Sequence, residues 1–170
     1  TARGSRPPTS SGGTTRPLTV QDAEALRAVP GIEKVVPVLF GTARISSGER
    51  ARDAFVYGAT ADGPAVWRFE VRVGRFLPEA DVERAMPVAV LGPKLKAELF
   101  GAQNAIGRRV KVGGHRFLVV GVMAPVGQFA GLTLDDAVYV PVASAQQLFD
   151  TTTLPSGVAY VAIGSTAGAA

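Results

Sequence analysis

The sequence predicts an α+β fold, rich in strands and poor in long helices. Twenty glycines and 12 prolines among 170 residues cut the chain into short segments, which suits strands better than helices. Hydrophobic residues make up 46% of the chain and charged residues 19%, enough apolar material for a packed core and outside the disordered range. The style of punctuation changes in mid-chain and returns near the end. The length allows one domain, or two small lobes sharing a chain.

Residues 1–16 read as a linker of Thr, Ser, Gly and Pro. Thr19 followed by Asp22 is a capping-box-like start for a helix reaching about Ala28, and Pro30-Gly31 stops it. The Val- and Ile-rich run from Ile32 to Ile45 and the run from Asp53 to Tyr57 flank Ser47-Gly48, predicting a hairpin. A helix and then a hairpin make one half of an α/β sandwich. Arg68 to Val73 alternates polar and apolar residues, predicting a half-buried strand.

Val88 to Gly92 is continuously apolar and predicts a central strand. Pro93 opens the helix Lys94 to Phe100, and Gly101 ends it. Gly113-Gly114 between Val110 to Val112 and His115 to Val122 is the clearest hairpin signal, because a two-residue primed turn needs φ > 0 at both positions. Val88, Val90, Leu91, Leu95, Leu99, Phe117, Val119 and Val120 are expected to pack as one unit. Ala137 to Val140 is a strand closed by Pro141, Ser144 to Phe149 a short helix, and Val158 to Ile163 a last strand.

The net charge of +4 suggests nucleic acid until the charges are located. Three of the 18 basic residues, Arg3, Arg6 and Arg16, lie in the acid-free linker, leaving 15 against 14 acidic ones in the body. A nucleic-acid domain needs a concentrated basic face, so a nucleic-acid partner is not expected. No run reaches the ~18 apolar residues of a membrane helix, and no secretory leader pattern opens the chain.

Catalysis finds little support. There is no cysteine, which removes disulfides, thiol nucleophiles and Cys-based metal sites. The single histidine, His115, sits at a turn edge, and one His without Cys does not build a zinc site. Asp135 and Asp136 are adjacent, so in a strand they point to opposite faces and are expected to position a loop. Neither a phosphate-binding glycine loop nor a G-x-S-x-G element is present. Arg108, Arg109 and Arg116 flank the hairpin; a solvated strand face is expected, with binding of a small acidic ligand as the alternative. One stretch stands out: Ala124 to Leu132, a glycine-containing loop after a strong strand, carries Phe129 and Leu132. Apolar residues in such a loop either meet a partner or fold back on the core.

Several segments taken in order resemble the periplasmic core domain of MacB-type (FtsX-like) ABC transporter permeases. These are LTVQDAEALRAVPGIEKVVPV, VYGATADG, VGRFLPEADVERAMPVAVLGPKLKAELFG, AIGRRVKVGGHRFLVVGVMAPVGQFAG and DDAVYVPVASAQQLF, spanning about residues 17–165. The resemblance implies a porter-like α/β lobe interrupted by a β-rich, sabre-like lobe. On this chain that gives residues 1–16 as flexible linker, 17–60 and 137–170 as the two parts of the porter-like lobe, and 61–136 as the sabre-like lobe. The family lobe continues past residue 163 with a further helix and strand, so the second part is expected to be truncated and to leave an exposed sheet edge or apolar patch.

The resemblance also implies a role. The domain sits on the periplasmic or extracellular face of the cytoplasmic membrane as part of an integral membrane protein. It couples cytoplasmic ATP hydrolysis to conformational change and export, without catalysis or a cofactor of its own. The implied partners are a second permease subunit, a cytoplasmic ATPase domain or subunit, and a periplasmic adaptor; Gln128, Phe129 and Leu132 are the expected partner contacts. The alternative is a free-standing secreted binding module with no catalytic activity.

Overall fold

The computed structural model of the protein describes residues 25–126, 128–129, 132–149 and 159–165. The expected linker and the capped start of the first helix lie outside these residues; Ala25–Ala28 forms a 3-10 turn. Strand β1 (Ile32–Ser47) then runs for 16 residues and turns back into β2 (Arg50–Ala59). Ser47 pairs with Arg50, so the turn is Gly48-Glu49, with Gly48 at φ +61. A positive φ at the first central position alone is the mark of a II′ turn.

The next element differs from the expectation. Gly63–Trp67 forms a short helix, α1, and Arg68 ends it in the left-handed region at φ 62, ψ 44, its N–H donating to the Pro64 carbonyl. That reversal buries Phe69 and delays the predicted strand. β3 is only Val71–Gly74 and mostly exposed, with Val73 at 43%. The alternation from Arg68 to Val73 therefore combines a helix end, one buried aromatic and a short edge strand.

β4 (Val88–Leu91) leads through Gly92 into α2 (Pro93–Phe100), whose first residue is the proline and whose end is capped at Gly101 with φ +61. β5 (Arg109–Val112) and β6 (His115–Met123) form the expected hairpin, with Val112 paired to His115 and Gly113 and Gly114 at φ +59 and +92. After β7 (Gln128–Phe129) and β8 (Leu132–Thr133), β9 (Ala137–Pro141) passes directly into α3 (Val142–Leu148). β10 (Ala159–Ser165) pairs with the first half of β1.

The α+β class holds, and the sheet carries a closure that sequence patterning did not reveal. Its open path runs β10-β1-β2-β9-β4-β6-β3. β5 pairs with β6 on one side and returns to β1 on the other through Ile45↔Val112 and Ser46↔Lys111. Strands β1, β2, β9, β4, β6 and β5 thus form a hydrogen-bonded ring. Within it β2–β9 and β4–β6 are parallel and the other pairs antiparallel. Hydrogen bonding continues across both residue 60/61 and residue 136/137, because β9 joins β2 to β4.

Because side chains alternate along strands, the ring has an inside and an outside. Leu39, Ile45, Val56, Leu91, Val110, Val112, Phe117, Val119, Val138 and Val140 fill one cluster, joined by Leu95 and Leu99 of α2 and Val142 and Ala145 of α3. α2 lies where β2 and β9 begin, and α3 continues from where they end. On the other face Val36, Val38, Tyr57, Phe69, Phe76, Val90, Val120 and Tyr139 form a second cluster. Tyr139 stacks on Tyr57 at 5.5 Å between ring centroids, and Phe69 meets Tyr139 edge-on at 5.9 Å. The packing unit expected from sequence is therefore divided. Leu91, Leu95, Leu99, Phe117 and Val119 share the inside, whereas Val88, Val90 and Val120 face outward because strand neighbours point to opposite faces.

Candidate partner-facing surfaces

The stretch expected to be a partner-binding loop is a small hairpin in its backbone. β7 and β8 pair antiparallel, Gln128 with Thr133 and Phe129 with Leu132, as a two-stranded sheet separate from the ring. Gly127, Ala130 and Gly131 lie outside the described residues, and so do the side-chain environments of Gln128, Phe129 and Leu132, the three expected contacts. Next to the hairpin, Val126 is 39% exposed.

The base of this hairpin is clamped by the adjacent aspartates. Asp135 Oδ1 accepts the Val126 N–H at 2.8 Å, closing the segment that leaves β6 against the segment that enters β9. The Asp135 carbonyl accepts the N–H groups of Lys94 and Leu95 at the start of α2, at 2.9 and 3.3 Å. Gly92 packs so tightly here that an added Cβ would collide with that carbonyl oxygen. Asp136 points elsewhere: its Oδ2 receives Arg52 Nη2 at 2.7 Å, while Arg52 Nη1 lies 3.3 Å from Glu98 Oε1 on α2. The two aspartates thus perform different positioning tasks. The Arg52–Asp136–Glu98 set was not visible in the sequence, because its members come from three separate segments.

The outer face of the β5–β6 hairpin carries a second feature. Arg109, Lys111 and Arg116 are exposed and share this face, with Lys111 directly opposite Arg116 and Arg109 opposite Leu118. Arg44, on the same face of β1, pairs with Asp53 at 3.4 Å. His115 is exposed at the first position of β6, as its turn-edge placement predicted. Beside the hairpin opens a cleft of about 300 Å³, walled by Met86 and Pro87, by His115 to Phe117 and by Ser144, Gln147 and Leu148. The buried Ser144 hydroxyl donates to the Met86 carbonyl at 2.8 Å and ties two of these walls together. Among the described residues no group of three or more His, Cys, Asp or Glu is placed to hold a metal ion. No helix among them is long and apolar enough to cross a membrane.

The described residues form a strand-rich hydrogen-bonded ring with small helices at its ends. The profile of the MacB-like periplasmic core domain matches residues 2–170, and the chain belongs to that family. By that family it is a periplasmic core domain.

Among curated proteins, the pyoverdine export ATP-binding/permease protein PvdT of Pseudomonas aeruginosa is 33% identical over 132 residues, 76% of this chain and 20% of the relative. The macrolide export ATP-binding/permease protein MacB of Syntrophobacter fumaroxidans is 32% identical over 133 residues, 76% of this chain and 19% of the relative. The chain thus spans about a fifth of the length of these relatives. Among solved structures, the periplasmic region of MacB from Actinobacillus actinomycetemcomitans superposes with a TM-score of 0.74 at 21% identity, covering 87% of this chain and 64% of that one. The extracellular domain of the noncanonic ABC-type transporter YknZ from Gram-positive bacteria gives 0.74 at 21%, covering 94% and 79%.

Proposed function

We propose that the chain is the extracytoplasmic part of an ABC exporter permease that transmits conformational change without catalysing a reaction. The observation that carries this reading is the family match along residues 2–170, together with relatives named as ATP-binding/permease proteins of which the chain spans a fifth. ATP binding and hydrolysis then belong to another domain or subunit on the cytoplasmic side. Residues 17–60 with 137–170 act as the porter-like lobe and residues 61–136 as the sabre-like lobe. Two copies work as a dimer and pass the substrate on with a periplasmic adaptor. A ring closed by hydrogen bonds and filled with apolar side chains suits this task, because a densely packed body moves as a unit and delivers displacement to its surface.

In this reading Gln128, Phe129 and Leu132 on the β7–β8 hairpin meet the second subunit or the adaptor. A hot-spot aromatic at an interface is worth about 2 kcal/mol or more, so a hairpin this small suffices. The test places Phe129→Asp in the full-length protein and measures export and ATPase rate together. Lost export with normal expression and unchanged basal ATPase activity supports coupling through the hairpin. Unimpaired export removes the hairpin from the mechanism.

A further inference from the structure

The basic face of the β5–β6 hairpin is unbalanced in a way that packing does not explain. No acidic residue occurs from Leu99 to Leu134, while Arg108, Arg109, Lys111 and Arg116 fall within this span. Their side chains make no ion pair or hydrogen bond among the described residues. The hairpin register sets Lys111 directly against Arg116, and like charges directly opposite across strands destabilise the pair. An acid at either position would convert that repulsion into an attraction. Departures of this kind, where a local rule is broken without a structural gain, are expected at functional sites.

The cleft beside the hairpin supplies a second, independent observation. It is concave, about 300 Å³, and has Arg116 and Gln147 among the polar groups of its lining. Its walls are otherwise largely apolar, with Met86, Phe117 and Leu148, and the buried Ser144–Met86 hydrogen bond keeps two of them in place. That size lies at the small end of pockets that accept organic groups, about 300–1,000 Å³. A largely apolar cleft with Arg116 in its lining, next to a strand face that carries Lys111 and Arg109, fits an apolar side chain flanked by carboxylates.

We propose that the outer face of β5–β6 and the adjoining cleft dock an acidic segment of a partner protein, with an apolar side chain in the cleft and carboxylates on Arg109, Lys111 and Arg116. Charge complementarity selects the occupant, raising its association rate and setting its register. A lipid surface fits less well. The hairpin tip is Gly113-Gly114, which offers no apolar side chain to insert, and the cleft is concave where a membrane requires a flat or protruding face. This inference does not depend on the role of the β7–β8 hairpin.

The test uses backbone-amide NMR of the 170-residue chain, titrated with a synthetic peptide carrying a central Leu-Leu pair between glutamates. Shifts are expected at residues 108–118 and 144–148, to be weakened by a tenfold rise in ionic strength, and absent with the same peptide carrying Gln for Glu. Lys111→Glu and, separately, Arg116→Glu are expected to weaken binding at least tenfold while the melting temperature stays level or rises. Arg72→Glu, an exposed cation on β3, leaves binding unchanged. Equal binding of the Gln peptide, shifts confined to other regions, or full affinity in both charge reversals overturns the proposal. So does binding to phosphatidylglycerol vesicles without binding to the peptide, which would assign the face to a membrane.

Discussion

Arg52 Nη2 lies 2.7 Å from Asp136 Oδ2 and joins the beginning of β2 to the residue that enters β9. Between them these residues border the parallel ladder in which Phe55 pairs with Ala137. Asp136 retains 13% of its side-chain exposure and Arg52 30%, so the pair is partly withdrawn from water. It stands at the end of the ring covered by α2, because Arg52 also reaches Glu98.

Removing Asp136 leaves the Arg52 guanidinium partly buried with only the half-exposed Glu98, at 3.3 Å, as its partner. Complete burial would make this cost about 3–5 kcal/mol, and partial exposure reduces it to about 1–3 kcal/mol. Asp136→Ala is expected to lower stability by that amount in urea denaturation. The double variant Arg52→Met, Asp136→Leu should recover more than half of the loss, since the only charge that then loses its partner, Glu98, is half-exposed and stays hydrated. A loss below about 0.5 kcal/mol in Asp136→Ala would mean that the pair is solvated like any surface pair.

The β5–β6 turn has a separate test. Gly114 has φ +92 and nothing within 4 Å of where a Cβ would stand, so substitution there meets backbone strain without a clash. A left-handed conformation costs a non-glycine residue about 1–2 kcal/mol. Gly114→Val is expected to lower the melting temperature, and Gly114→Asn to lower it less, because Asn visits that region more readily. Identical melting curves for all three proteins would contradict the primed turn.

The inside and the outside of the ring should differ in sensitivity. Leu91 is fully buried among strands and helices, whereas Val88, three residues earlier on the same strand, is only partly buried on the outer face. Leu91→Ala is expected to cost about 2–5 kcal/mol, and Val88→Ala under about 1.5 kcal/mol. Equal losses would contradict the assignment of the two faces.

Legibility in the sequence followed the range of the interactions. Gly113-Gly114 between alternating runs specified its hairpin locally, and Gly92-Pro93 after an apolar run specified the passage from β4 into α2. The closure of the ring was not legible. It depends on Ile45 meeting Val112 and on β9 lying parallel to β2, and pairings between distant segments leave no periodic mark. The division of Val88, Val90 and Leu91 between two faces was hidden because a strand covered on both sides reads as one continuous apolar run. Gly63–Trp67 is too short, and too rich in Gly and Pro, to show helical periodicity.

The surfaces followed the same division. Arg109 and Arg116 were evident as cations beside a turn, but the opposition of Lys111 to Arg116 needed the register. The cleft needed α3 beside the hairpin. Arg52 gave no signal, since its partner Asp136 is 84 residues away.

In the proposed function this domain moves in response to nucleotide bound elsewhere. The chain contains no cysteine, so Ala97→Cys, exposed on α2, introduces a single labelling site within it. In the full-length protein, spin labels at this position in the two copies of the proposed dimer report their separation by pulsed electron resonance. Different distance distributions are expected in the nucleotide-free state and in the ATP-bound state held by a hydrolysis-deficient ATPase site. Superimposable distributions in the two states, from protein that binds ATP and exports normally when unlabelled, would contradict this movement.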